Sequence, residues 1–156
     1  MHGSKGNKHA LVHQNISAEK VFINRPYDPL ISDSGLHKLL ADDIVFSMLK
    51  ASAAMGYLAP EYTTTGRFTE KSDVYAFGMI VLQILSGKRN ITQLTLHAAE
   101  SCRYEDFIDA NLGGNFSESE ADKLGRIALR CTNESPIHRP TAETVMLELS
   151  ESIVAA

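Results

Sequence analysis

One predicted helix with apolar side chains on almost every face constrains this fold more than any other feature. The polar pair Ser72-Asp73 is a typical helix start, and Ser86-Gly87 ends the pattern. Between them, apolar side chains fall at Val74, Phe77, Ile80, Val81, Ile84 and Leu85. A helix that is apolar all round is buried all round, so we predict that this helix forms the centre of a helical core. The run includes Gln83 and is far shorter than the roughly 20 residues that span a bilayer, so we expect no membrane insertion.

A small β element is predicted before this helix. Lys20–Asn24 and Leu30–Ser32 are short apolar-polar runs, and the turn residues Arg25–Pro29 separate them, which predicts a two-stranded hairpin. Small residues dominate Leu36–Ala59 and its periodicity is poor, with Ala51–Ala54 as an example. We therefore expect an ordered loop there.

Three more helices are predicted after the central one. Ile91–Tyr104 has the pattern of a shorter helix of weaker amphipathicity. Ser117 with Glu120 fits a capping box before a helix that has one apolar stripe. Thr141, directly after Pro140, begins the last helix. The sequence thus predicts a mainly α-helical fold with a short β-hairpin near its start.

Composition excludes several classes of protein. The chain has 156 residues, about one domain, and a net charge of -4 from 15 basic and 19 acidic residues. Such a charge provides no general attraction for nucleic acid or for an anionic membrane, so neither is an expected partner. Cys102 and Cys131 lack the spacing of a zinc site or of a disulfide scaffold, which favours a reducing, intracellular setting.

Five short motifs follow one another along the chain, and each is weak alone. They are His13-Gln14-Asn15, Asp33-Ser34-Gly35, Ala59-Pro60-Glu61, the run Ser-Asp-Val-Tyr-Ala-Phe-Gly around Asp73, and His-Arg-Pro around Arg139. In order and spacing they resemble the C-terminal lobe of a protein kinase. The phrases Phe107–Leu112 and Cys131–Pro140 narrow the resemblance to plant leucine-rich-repeat receptor-like kinases, and within those to members of the inactive, pseudokinase type.

This resemblance implies an architecture and a location. We expect residues 1–156 to be a partial kinase domain, running from the catalytic loop to the last helix without the N-lobe. The parent family consists of plasma-membrane receptors that carry this domain on the cytosolic side, so the expected location is cytoplasmic.

At the positions that the resemblance assigns to catalysis, this chain has residue types that differ from those of an active kinase. Asn15 stands at the catalytic base, and an amide cannot take up a proton at neutral pH, which typically forfeits about 10²- to 10⁴-fold in rate. Gln14 replaces an arginine that would contact a phosphorylated activation segment, and Ser17 replaces a lysine beside the transferred phosphate. Lys20 replaces a magnesium-binding asparagine and so brings a positive charge to a cation site. His13 is expected to be a packed core residue.

Other matched positions keep their family identity. Asp33 is a weak candidate ligand for Mg-ATP, but no glycine-rich phosphate loop precedes it, so no cofactor is expected except by family analogy. By the same resemblance, Glu61 and Arg139 form a buried ion pair, and Asp73 accepts backbone N–H groups of the catalytic loop. The resemblance therefore implies that this chain has lost the residues needed for catalysis but keeps the residues that hold the kinase fold together.

Three functions remain open. The first is a pseudokinase module or scaffold that binds protein partners such as an active receptor kinase or a regulator. The second is a serine/threonine protein kinase that uses a nucleotide bound through Asp33. The third is a truncated product without independent function, whose exposed apolar surface promotes aggregation.

Overall fold

The structure, a computed structural model, describes residues 12–34, 39–101 and 107–153. Strands β1 (Val21–Ile23) and β2 (Pro29–Ile31) form an antiparallel hairpin with Phe22 opposite Leu30, which confirms the predicted hairpin. In the described part of the chain six α-helices follow: α1 (Asp42–Ala54), α2 (Tyr62–Thr65), α3 (Glu70–Ser86), α4 (Gln93–Glu100), α5 (Glu118–Cys131) and α6 (Ala142–Ile153). None of the described helices is long and apolar enough to cross a membrane.

Helix α3 is the centre of the core, as predicted, although it begins two residues earlier, at Glu70. Thr69 and Ser72 close a capping box at its start, and Gly87 ends it with a positive φ of 65°. Eleven residues of α3 are buried, but Ile84 is 69% exposed, so the prediction that every face is covered was wrong at that position.

The largest helix contact is between α3 and α5. A Cβ atom on Gly78 would lie 2.7 Å from Cβ of Cys131, so the absence of a side chain at Gly78 lets the two helices approach closely. Cys131 is fully buried there, and burial raises the pKa of its thiol to about 11. The other cysteine of the chain, Cys102, lies outside the described residues.

The loop predicted over Leu36–Ala59 is wrong for most of its length, because residues Asp42–Ala54 form helix α1. Alanine is the best helix former, so the small residues that suggested a loop favour a helix instead. Asp42 and Asp43 in the first turn also complement the helix dipole. The half-buried residues Val45, Leu49 and Ser52 recur at helical spacing, a stripe too weak to have predicted the helix from sequence.

Helices α4, α5 and α6 agree with the sequence-based predictions to within a few residues, whereas the short helix α2 was not predicted. Helix α4 ends at Glu100, and the predicted end at Tyr104 lies outside the described residues. The Ser117 hydroxyl accepts the Glu120 backbone N–H at 3.3 Å, which is one half of the predicted capping box. The Thr141 hydroxyl accepts the Thr144 backbone N–H at 3.1 Å at the start of α6.

An apolar groove of about 630 Å³ lies beside the core, between α3, α6 and the segment around His13. Its walls include Ile16, Val74, Phe77 and Leu149. This is exposed apolar surface of the kind that the third hypothesis invokes.

Candidate functional site

The segment that carries the predicted catalytic positions is fixed to the start of α3 by Asp73. The two carboxylate oxygens of Asp73 accept the backbone N–H groups of His13 and Gln14 at 2.6 and 2.9 Å. Gln14 has a positive φ of 67°, a conformation that these two hydrogen bonds help to hold. Burial raises the pKa of Asp73 above its ordinary value, and the two backbone hydrogen bonds offset part of that rise.

His13 is buried and makes a further pair of hydrogen bonds. Its Nε2 lies 2.8 Å from the carbonyl oxygen of Ser32, and its Nδ1 accepts the Asn15 backbone N–H at 3.3 Å. An accepting Nδ1 fits the neutral tautomer in which Nε2 donates to Ser32. His13 thus ties the segment to the end of the hairpin, as a packed structural residue would.

Asn15, at the predicted base position, has an amide nitrogen that exposes less than 1 Å² and has no hydrogen-bond partner. Asn15 as a whole is half-buried, whereas Ser17 is buried, and the Ser17 carbonyl accepts the Lys20 backbone N–H at 3.1 Å. Neither side chain supplies a group that can accept a proton from a substrate hydroxyl.

Lys20 and Asp33 meet directly. The ammonium nitrogen of Lys20 lies 3.2 Å from the Asp33 carboxylate, and the Lys20 side chain is only 18% exposed. Asp33 itself has a positive φ of 65°, a backbone conformation that few residues other than glycine adopt. The pair matters for the magnesium that the resemblance implies, because an ammonium group already lies against one oxygen of the Asp33 carboxylate. These residues do not fit a magnesium ion.

A second polar cluster is also attached to the first turn of α3, through Lys71 and Ser72. The Arg139 guanidinium, which has no exposed side-chain surface, donates to both Glu61 carboxylate oxygens at 2.9 and 2.8 Å. It also donates to the carbonyls of Asn133, Lys71 and Glu134. The pair joins the segment before α2 to the loop before α6.

The surroundings of Glu61 lower its pKa below the ordinary value. Burial raises this pKa, but the hydrogen bonds and charge of Arg139 and a 3.1 Å hydrogen bond from the Ser72 hydroxyl outweigh that effect. Ser72 lies next to Asp73, so both clusters are attached to the first turn of α3.

Three polar contributors to this region were not predicted from the sequence. The Tyr57 hydroxyl donates to the Gln83 side chain at 2.6 Å and accepts the Ala18 backbone N–H at 3.4 Å, which links α3 to the segment around position 18. Lys71 donates to the carbonyl of Arg139 at 2.6 Å. Only Gln83 carried a signal, since it is a polar residue inside an apolar helix.

The comparison with known families decides the identity. The model for protein tyrosine and serine/threonine kinases matches residues 7–149. The chain belongs to the protein kinase family. Within it, the chain is 33% identical over 147 residues to cold-responsive protein kinase 1 of Arabidopsis thaliana, covering 87% of this chain and 38% of that protein.

Receptor-like kinases of the same plant are equally similar. A protein named as a probable LRR receptor-like serine/threonine-protein kinase is 35% identical over 154 residues, which cover 92% of this chain and 15% of the relative. The chain is also 35% identical over 160 residues to cysteine-rich receptor-like protein kinase 46, covering 91% of this chain and 25% of that protein. The chain therefore spans well under half the length of these relatives.

Among solved structures, the kinase fold is matched by the pseudokinase domain of BIR2, an immune regulator of the RLK/Pelle family. The TM-score is 0.74 at 29% identity, covering 90% of this chain and 44% of that one. This match and the family model confirm the predicted mainly α, kinase-like fold with a short hairpin. They also confirm the resemblance to plant receptor-like kinases.

Proposed function

We propose that this kinase-family chain is catalytically inactive and acts by binding other signalling proteins, among them an active receptor kinase or its regulator, on the cytosolic side of the plasma membrane. The observation that carries the proposal is the Lys20–Asp33 contact of 3.2 Å. The resemblance to kinases implies that Asp33 would bind Mg-ATP. In this chain the negative charge of Asp33 is already balanced by the Lys20 ammonium group.

The base position supports the same proposal independently. Phosphoryl transfer needs a carboxylate that accepts the proton of the substrate hydroxyl, together with cations that neutralise the phosphates. Asn15 offers an amide, and its nitrogen is buried without a partner. Two requirements of phosphoryl transfer are therefore unmet in this proposal: the carboxylate base at position 15 and a free metal ligand at Asp33.

The retained scaffold supports a role in binding. Asp73 and the Glu61–Arg139 pair hold two segments in defined conformations around α3, although the base that those segments would position is absent. A rigid surface favours recognition by another protein, because ordering a loop on binding costs free energy.

A transfer assay tests inactivity. The chain is incubated with radiolabelled ATP, Mg²⁺ and a generic protein substrate, beside the Asp33→Ala variant and a catalytically competent receptor kinase. We expect no transfer above background from this chain. Transfer that is lost in Asp33→Ala would instead establish the second candidate, serine/threonine kinase activity, which the names of the relatives favour.

A binding assay tests the scaffold role. Binding to a recombinant active receptor-kinase domain is measured for the parent chain, for Asp33→Ala and for Arg139→Ala. We expect Asp33→Ala to bind as the parent does, because the surface does not depend on nucleotide, whereas Arg139→Ala loses both its fold and its binding. Equal loss in the two variants, or no binding by the parent, would contradict the scaffold role.

A further inference from the structure

A cleft with acidic residues in its walls lies between α4 and α5. Its volume is about 550 Å³, and Leu94, Leu96 and Leu129 give it an apolar lining. Leu94 is 82% exposed, so the apolar lining is open to solvent. Glu100 and Glu134 line the same cleft, and among the described residues no lysine or arginine lines it. We call this space the acidic cleft, and its chemistry suits an apolar side chain that is accompanied by cations.

The loop that forms one side of the acidic cleft is held from inside the protein. The carbonyls of Asn133 and Glu134 accept hydrogen bonds from the buried Arg139 guanidinium at 2.7 and 3.2 Å. The Thr132 hydroxyl, which also lines the cleft, donates to the Ala128 carbonyl at 3.1 Å. Because the backbone of the cleft is already ordered, little conformational entropy is lost when another surface binds there.

The end of α3 carries a surface of the opposite charge. Ile84 is 69% exposed, and Lys88 and Arg89, which follow the helix, are exposed as well. These three residues line one shallow depression, so they share a face of the protein, and we call them the basic patch. Glu19 also lines this depression, but the two cations outnumber it. The backbone of the patch is fixed, because the Gln83 amide donates to the Arg89 carbonyl at 2.5 Å.

We propose that the basic patch of one copy of this chain docks in the acidic cleft of another copy. Ile84 enters among the leucines of the cleft, and the two cations of the patch face its two carboxylates. The pairing of these unlike surfaces is attractive, whereas contact of either surface with its own counterpart places like charges together. The contact is therefore heterologous. Every pair keeps one free cleft and one free patch, so association continues beyond two copies into rings or open chains.

This contact is separate from the proposed function. It does not depend on whether the chain is catalytically inactive or on a receptor-kinase partner, so either proposal can fail while the other stands. It is also distinct from association through the apolar groove between α3, α6 and the segment around His13. Salt weakens a contact between exposed charges, whereas it does not weaken the burial of apolar surface.

Sedimentation velocity of the full chain tests the contact. The parent is studied from about 10 to about 500 µM, in about 0.05 M and about 1 M sodium chloride. Arg89→Glu and Glu100→Lys each reverse one of the two like charges of one surface. Lys50→Glu and Glu143→Lys are the matched controls, because they make the same kinds of reversal at exposed positions outside both surfaces. Circular dichroism shows whether each variant keeps the helix content of the parent.

We expect the sedimentation coefficient of the parent and of both controls to rise with concentration at low salt and not at high salt. Arg89→Glu or Glu100→Lys alone should weaken the association about tenfold or more. An equimolar mixture of these two variants should associate again but stop at pairs. The reason is that the Glu100→Lys copy keeps its basic patch and the Arg89→Glu copy keeps its acidic cleft.

Three results would overturn the proposal. The first is a parent chain that stays monomeric up to about 500 µM at low salt. The second is association that neither reversal weakens or that high salt strengthens, which would assign it to the apolar groove. The third is a mixture of the two variants that associates no more than its components do, which would show that these two surfaces do not meet.

Discussion

Replacing Arg139 with methionine should remove much of the stability of this fold. Methionine keeps most of the apolar volume but leaves the Glu61 carboxylate, which is only 13% exposed, without its partner. It also withdraws donors from the carbonyls of Asn133, Lys71 and Glu134. Breaking a buried ion pair from one side typically costs about 3–5 kcal/mol. Small domains have about 5–15 kcal/mol in total, so the variant should lose a large fraction of its stability.

Urea unfolding followed by circular dichroism measures this loss. With a slope of about 2 kcal/mol per molar urea, a loss of about 4 kcal/mol lowers the midpoint by about 2 M. Arg130→Met is the matched control, because Arg130 donates to both Glu148 oxygens at 2.8 and 2.9 Å but is 51% exposed. We expect a loss below about 1 kcal/mol there. Similar losses at the two arginines would refute our reasoning that burial makes the Glu61–Arg139 pair structural.

Three further predictions concern single groups. Asp73→Asn turns one accepting oxygen into a donor that faces a backbone N–H, so it should cost about 1–3 kcal/mol in urea unfolding, and a neutral effect would contradict the role of Asp73. The Glu61 pKa is lowered in the fold, so the stability from its ionisation is present at neutral pH and is lost as the pH falls below about 4. Glu61→Gln should reduce the loss of folding stability that occurs as the pH falls. An unchanged loss would mean that other carboxyl groups cause it. Cys131, with a pKa of about 11, should resist iodoacetamide at pH 8 until urea unfolds the chain, and rapid native labelling would show that α3 and α5 do not seal it.

The central helix was predictable because its signal is local and strong. Apolar residues on most faces, a polar start and Ser86-Gly87 at its end are all contiguous in sequence. The helix begins at Glu70, two residues before the predicted start at Ser72, and its N-cap is Thr69. Such end effects depend on which of several hydroxyl side chains reaches the backbone, and the sequence offers both.

Helix α1 was missed because its evidence is weak and partly non-local. Its stripe includes Ser52 and lines the same cavities as residues around position 15 and Phe68, which are distant in sequence. Because one member of the stripe is a serine and the apolar residues Ile44 and Phe46 are exposed, the apolar periodicity of the helix is poor. The alanines at 51, 53 and 54 favour this helix through their intrinsic helix propensity, which is a local property of the sequence.

The candidate site was predictable in its residue types but not in its contacts. Comparison with kinase motifs identified Lys20 and Asp33 as a substituted and a retained position, but nothing in a sequence states that two residues 13 apart form an ion pair. The hairpin makes that contact possible, because it folds the chain back between them. The same holds for Tyr57 and Gln83, which meet only in the folded chain.

The most direct test of the central claim is a metal titration at Asp33. Binding of Mn²⁺, used as a paramagnetic probe for Mg²⁺, is measured for the parent, for Lys20→Asn and for the control Lys88→Asn. Lys20→Asn removes the competing ammonium and restores an amide oxygen, so we expect it to bind Mn²⁺ at least tenfold more tightly than the parent and the control, with the gain abolished by adding Asp33→Ala. Tight Mn²⁺ binding by the parent that depends on Asp33, or no difference between the parent and Lys20→Asn, would contradict the account.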